Sequence, residues 1–166
     1  MCLSLGVPLS VIAEGLGKYH GVVGRLRRSV LPGKIEIFDD TYNANPDSVK
    51  AAIEVLISTK GQKFFVMGDM GELGEQSCSL HEEIGSFAKE RGISFMLGLG
   101  HLTRYAVRSF GSVCVHHESK AALAHDLVKR VQPGSKILVK GSRSMGLEEV
   151  VTQIINLSAS NYSEPN

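Results

Sequence analysis

Tryptophan is absent from the 166 residues, and Phe and Tyr leave the aromatic content at 6%. That is a poor supply for a platform on which the bases of single-stranded nucleic acid would stack. Charge of one sign is equally scarce, since 18 Lys and Arg against 17 Asp and Glu leave a formal charge of +1. Neither a nucleic-acid backbone nor an anionic membrane surface is therefore an expected partner. Cys2, Cys78 and Cys114 have neither CxxC nor zinc-ligand spacing, which fits reduced thiols in a cytoplasm. No apolar run nears the ~20 residues that cross a bilayer. MCLSLGVPLS lacks the basic start of a signal peptide. A GxxxxGK[ST] phosphate loop, a GxSxG elbow and an HExxH metal helix are all missing. What remains, at 43% hydrophobic and 21% charged residues, is the composition of a soluble cytoplasmic domain with its own core.

Five short apolar runs recur from residue 34 onward: Ile35 to Phe38, Phe64 to Met67, Ile93 to Leu97, Val113 to Val115 and Ile137 to Val139. Helical patterns separate them. Asn45 caps the first, with Pro46 at its first position and Val49, Ala52, Ile53 and Leu56 on one face. Leu80, Ile84, Phe87 and Ala88 mark the second, and Leu102 to Phe110 a shorter third. Ser119 caps a fourth with Leu123, Leu127 and Val131 inward, and Leu147, Val150, Val151 and Ile154 mark the last. This alternation predicts an α/β fold: a doubly wound, mostly parallel, Rossmann-like sheet of five to six strands. Pro32-Gly33 fits the centre of a type II turn, which predicts an N-terminal β-hairpin. PLSVIAEGLGKYH reads as an amphipathic helix outside this alternation and GVVG as a linker, while SASNYSEPN reads as a frayed terminus.

In such a sheet, ligands bind beyond the carboxyl ends of the strands. After the first run, Asp39-Asp40-Thr41-Tyr42-Asn43-Ala44-Asn45 gathers carboxylates for ribose hydroxyls and amides for a base. Asn45 serves equally well as a plain helix cap. After the second run, Gly68-Asp69-Met70-Gly71-Glu72-Leu73-Gly74 permits close backbone approach, and its acids suit an ammonium group or a metal-bound water. An ordinary acidic loop fits it as well. Gly98-Leu99-Gly100 begins like a dinucleotide fingerprint, but Thr103 replaces the third glycine and no acid ends the next strand, so a tight turn is expected. After the last run, Lys140-Gly141-Ser142-Arg143-Ser144 leads into a helix, where cations and hydroxyls suit a phosphate or carboxylate. Arg25, Arg27 and Arg28 cluster near the hairpin. His116 and His117 alternate along a strand and cannot chelate one metal together.

DDTYNANPDSVKAAIEVL, VMGDMGELGEQSCSLHEEIG and LVKGSRSMGLEEVV resemble, in this order, motifs of the C-terminal domain of the Mur ligases. The likeness is to the branch that adds D-alanyl-D-alanine to UDP-N-acetylmuramoyl-tripeptide, and it spans roughly residues 3 to 157. It implies cytoplasmic peptidoglycan-precursor synthesis through an acyl phosphate, with ATP and Mg²⁺ held largely by a central domain that this sequence does not contain. Residues 1–22 are then the end of that domain and a linker, 23–157 the C-terminal domain, and 158–166 a flexible tail. The resemblance assigns Arg25 to the nucleotide phosphates, Asp40 to the ribose, and Asn43 and Asn45 to further nucleotide contacts. It assigns Asp69 and Glu72 to the incoming dipeptide, and Lys140, Ser142 and Arg143 to its carboxylate or a neighbouring phosphate. Thr41 stands where the family has a serine and keeps the hydroxyl. No catalytic residue and no metal ligand is expected within these 166 residues. The chain is expected to be a fragment, a monomer, and inactive alone. The competing expectation is a free-standing nucleotide-binding or interaction module without ligase activity.

Overall fold

Pro32 and Gly33 reverse the chain, with Gly33 at φ 72° and ψ 14°, the left-handed conformation that the turn requires. They join β1 (Arg27–Leu31) to β2 (Ile35–Asp40), which pair antiparallel from Leu31↔Ile35 to Arg27↔Asp39. In the computed structural model, which describes Gly6 and residues 8–11 and 22–161, this hairpin forms one edge of a six-stranded sheet. The other strands are β3 (Lys63–Gly68), β4 (Phe95–Leu99), β5 (Cys114–His117) and β6 (Lys136–Lys140). The order is β1-β2-β6-β3-β4-β5, and all pairs beyond the hairpin are parallel. The expected sheet and hairpin are both present.

Among the described residues, five helices cover the two faces: α1 (Pro46–Ile57), α2 (Ser77–Glu90), α3 (Thr103–Phe110), α4 (Lys120–Arg130) and α5 (Glu148–Asn161). Alternate residues of each strand face opposite layers, so the apolar runs are buried twice over. Phe64, Val66, Ile137 and Val139 pack with Leu123 and Leu127 of α4 and Val150 and Ile154 of α5. Phe65, Met67, Met96 and Leu138 pack with Val49 and Ile53 of α1, Ile84 of α2, and Ala106 and Phe110 of α3. Each such side chain contributes roughly 1.5–3 kcal/mol by leaving water.

The caps hold as read. The Asn45 side chain accepts from Ser48 N at 2.8 Å while Ser48 Oγ accepts from Asn45 N at 3.1 Å, a reciprocal cap on α1. Ser119 Oγ accepts from Ala122 N at the start of α4. Three details differ from the sequence reading. On α2, Leu80 and Phe87 are half-buried, whereas His81 and Gly85 are buried beside Ile84 and Ala88. A 3-10 turn (Arg143–Met145), closed by Gly146 in the left-handed region, separates the Lys140–Ser144 segment from α5. And α5 runs through Asn161 with Ser158 only 2% exposed, so helix occupies residues assigned to the tail. The expected N-terminal helix is described only at residues 9–11, which are helical, and residues 162–166 lie outside the described part. Among the described residues, no helix is long and apolar enough to cross a membrane.

Candidate functional site

The helices after β3 and β6 lie on opposite faces, so the loops that leave these adjacent strands diverge and open a crevice. Strand register brings their chemistry to one level, because Asp40 pairs with Lys140 across β2 and β6, and Met67 pairs with Lys140 across β3 and β6. Two of the clefts at this end of the sheet are both bordered by Tyr42, Asn43 and Asn45.

The first cleft, about 440 Å³, is walled by Gly24, Arg25, Leu26, Asp40, Ala52 and Lys140, among others. The Arg25 guanidinium lies over the Tyr42 ring at 4.3 Å. Gly24 O accepts from Tyr42 N at 2.9 Å, which ties the segment before the hairpin to the loop after β2. Asp40 Oδ1 accepts from Leu26 N at 3.1 Å, and Oδ2 accepts from Lys140 Nζ at 2.5 Å. The same ammonium donates to Asn43 O at 2.9 Å. The Lys140 side chain is only 3% exposed and that of Asp40 13%. Lys140 was expected beside Ser142 and Arg143 as a ligand cation. In the structure it is a buried partner of Asp40, its register neighbour across β2 and β6, and it lines the first cleft. Asp39 also turns inward, where Oδ1 accepts from Thr41 Oγ1 at 2.7 Å and from Thr41 N at 3.2 Å. Of the paired acids, Asp40 faces the cleft.

The second cleft, about 540 Å³, is bordered on its far side by Gly71, Glu72, Leu73, Ser142, Arg143 and Ser144. Glu72 is exposed and sits at φ 61°, a region that residues with side chains rarely adopt. Arg143 is 67% exposed and has a long contact of 3.7 Å to Glu148. Ser142 is 6% exposed, and its hydroxyl meets that of Ser144 at 3.0 Å.

Asp69 does not line either cleft. Its Oδ1 accepts from Leu102 N at 2.9 Å and Thr103 N at 2.8 Å, so it caps α3 from another loop. Gly100 lets the carboxylate approach, for a Cβ there would sit 2.4 Å from Oδ1. The GxG of this turn therefore serves packing. The next strand ends at His117. Glu118 directly follows β5, but it is engaged by Arg104 at 2.7 Å. The histidine pair divides as expected, His116 Nε2 contacting Gly100 O at 2.6 Å and His117 Nε2 contacting Asp126 Oδ2 at 3.1 Å. Among the described residues, no group of three or more His, Cys, Asp or Glu side chains is placed to hold a metal ion.

Two residues have roles that the sequence reading did not specify. Tyr42 was seen only as part of a cluster, because its partner Arg25 is far away in sequence. His81, 0% exposed, lies within the VMGDMGELGEQSCSLHEEIG segment with no role assigned to it there, and its Nε2 accepts from Met70 N at 3.0 Å and its Nδ1 contacts Ser77 O at 2.6 Å. Burial lowers its pKa, against the opposing pull of the Ser77 carbonyl and the Asp69 charge.

Known proteins resemble this chain in sequence and in fold. Residues 24–143 match the family described as Mur ligase, glutamate ligase domain. The chain is 39% identical over 153 residues to the UDP-N-acetylmuramoyl-tripeptide–D-alanyl-D-alanine ligase of Escherichia coli (strain K12), covering 91% of this chain and 34% of that protein. It is 32% identical over 157 residues to the ligase of the same name from Bacillus subtilis (strain 168), covering 90% and 34%. The crystal structure of MurF ligase from Thermotoga maritima in complex with ADP superimposes with a TM-score of 0.81 at 29% identity, over 96% of this chain and 36% of that one. The chain spans about a third of the length of these relatives. With the family match covering most of its length and the same fold in its relatives, the chain belongs to the Mur ligase family.

Proposed function

We propose that residues 23 onward form the C-terminal domain of a cytoplasmic, monomeric ATP-dependent ligase that joins D-alanyl-D-alanine to UDP-N-acetylmuramoyl-tripeptide. The observation that carries this reading is the pair of clefts that share Tyr42, Asn43 and Asn45 at the carboxyl end of the sheet. The first cleft suits a nucleotide: Asp40 offers a carboxylate to vicinal ribose hydroxyls, Asn43 and Asn45 border the base, and Arg25 reaches toward phosphate. The second suits a dipeptide, with the Glu72 carboxylate toward its ammonium end and Arg143 and Ser142 toward its carboxylate. Lys140 and Asp69 act one step back, holding Asp40 and the loops in place. Mg²⁺, when bound to ATP, neutralises phosphate charge. In this reading the metal and the phosphate loop belong to another domain. Activation of a carboxylate as an acyl phosphate needs water excluded from the cleft. The open clefts of this chain meet that need only when a second domain closes over them.

Amide spectra of the labelled 166-residue chain test the assignment. ADP should shift Gly24, Tyr42 and Asn43, whereas D-alanyl-D-alanine should shift Glu72, Leu73 and Ser144. Neither ligand should support Mg²⁺-dependent phosphate release from ATP. Turnover of ATP by the isolated chain, or ADP shifts confined to the far end of the sheet, would refute the reading.

A further inference from the structure

The loop that borders the second cleft is rooted by His81. The Ser77 carbonyl can only accept, so the Nδ1 that meets it at 2.6 Å carries the proton. Nε2 is therefore bare, and it accepts from Met70 N at 3.0 Å. The ring is completely buried, and Met70 is 1% exposed. The residue before Met70 is equally fixed, because Asp69 O accepts from Ser142 N at 2.9 Å. Immediately after Met70, Gly71, Glu72 and Leu73 line the cleft, with Glu72 at φ 61°. Such a backbone conformation persists only where its surroundings over-determine it, and the Met70–His81 bond supplies that constraint at the root of the loop.

We propose that His81 is a positioning residue: its neutral, Nδ1-protonated ring latches Met70 and so fixes Gly71–Leu73 for the incoming dipeptide, and a second proton on the ring releases the latch. The proposal rests on reading the second cleft as the dipeptide side. An imidazolium has two donors and no acceptor, so its Nε2–H would confront the Met70 N–H with nothing to accept either. Asp69, from the loop after β3, favours the protonated ring, whereas burial disfavours it and prevails. On α2 itself Glu82 and Glu83 are exposed, and Glu83 is engaged by Lys50 at 2.5 Å. The latch is thus closed at neutral pH and opens only below the ordinary histidine range.

Two variants separate the roles. His81→Gln offers an amide oxygen near the Nε2 position and does not titrate, while His81→Phe fills the space with no acceptor. In the 166-residue chain, ring nitrogen spectra at neutral pH should show the Nδ1–H tautomer. Exchange of the Met70 amide should be about tenfold faster in His81→Phe and near wild type in His81→Gln. In the full-length ligase, His81→Phe should raise KM for D-alanyl-D-alanine roughly fivefold or more and leave KM for ATP unchanged. The wild type should show a rise in the same KM only as the pH falls below the ordinary histidine range, and His81→Gln should flatten it. An Nε2–H tautomer, or Met70 exchange indifferent to His81→Phe, would overturn the latch. Faster Met70 exchange with an unmoved dipeptide KM, or with KM for ATP moving instead, would overturn the proposal through the cleft assignment, the latch itself standing. If His81→Phe fails to fold, the pH profile of His81→Gln decides: a profile as steep as that of the wild type overturns the latch.

Discussion

Removing the Asp40 charge should unfold the domain more readily, not merely weaken a ligand. Lys140 Nζ is 2.5 Å from Asp40 Oδ2 and 2.9 Å from Asn43 O, in a side chain only 3% exposed. Breaking a buried ion pair by deleting one partner typically costs about 3–5 kcal/mol, because the other charge stays buried. Here the cost is reduced on two counts. Asn43 O still accepts from the ammonium, and the amide oxygen of Asp40→Asn still accepts from Leu26 N or Lys140. An expected loss of about 2–3 kcal/mol remains. For a domain of this size, that lowers the melting temperature by about 4–12 °C. Lys140→Met should cost less, about 1–2 kcal/mol, since the remaining carboxylate is partly exposed and keeps the Leu26 amide. The double variant buries no unpaired charge, so it should be little worse than Lys140→Met alone. That gives a coupling of about 2–3 kcal/mol in a double-mutant cycle. Urea unfolding followed by far-UV circular dichroism measures all three. Additive single costs, or an Asp40→Asn loss below about 0.5 kcal/mol, would show that the pair is solvated and the argument wrong. In the proposed full-length ligase, a higher KM for ATP in Asp40→Asn would mix loss of the proposed ribose contact with a displaced cation. The double variant separates them, since it removes the charge without stranding Lys140.

The layered sheet was legible because its signal is repeated. Phe64 to Met67 and Ile137 to Val139 are apolar on successive residues, which only a strand buried on both faces requires, and Asn45 with Pro46 and Ser119 marked two helix starts correctly. Local chemistry near the site was legible for the same reason: the acid–hydroxyl–amide segment, the glycine-rich acidic loop and the Lys140–Ser144 turn all border one end of the sheet. Their division of labour was not. Whether Asp39 or Asp40 faces ligand depends on strand phase, and Lys140 pairs with Asp40 through a register between strands that lie 100 residues apart. Asp69 reads as a ligand acid in sequence because nothing local reveals that α3, which starts 34 residues later, lacks a cap of its own. His81 interrupts an apolar stripe, and periodicity discounts a polar residue there. Burial becomes intelligible only once Met70 and Ser77 are seen to satisfy both ring nitrogens.

Acid should erode stability through Glu36, whose carboxyl is held down to about 2 from 4.5 by hydrogen bonds from Arg28 first and then Lys136. A depressed carboxyl pKa adds stability that is complete above about pH 4.5 and vanishes toward pH 2; with Arg28 well exposed, the contribution is about 1–2 kcal/mol, and Glu36→Gln should flatten that limb of a pH–stability curve. Arg143→Ala should leave stability within about 0.5 kcal/mol, since the side chain is 67% exposed and 3.7 Å from Glu148. In the full-length ligase it should cost about 1.5–3 kcal/mol in kcat/KM for the dipeptide, and a strong loss of stability with normal ligation would make the residue structural. Asp69 provides the contrasting case. Its carboxylate accepts from two amides at the start of α3, and it does so against a glycine at φ 123°. Asp69→Ala therefore loses a helix cap and a charge that the helix dipole favours, about 1–2 kcal/mol together. Gly100→Ala should cost more than Asp69→Ala, because its Cβ would both strain the backbone and displace the carboxylate. Combining the two should cost clearly less than the sum, since the methyl meets no carboxylate once Asp69 is gone, although the backbone strain remains. If Asp69→Ala instead leaves the melting temperature unchanged while dipeptide KM rises sharply, the carboxylate serves the ligand and the capping argument falls.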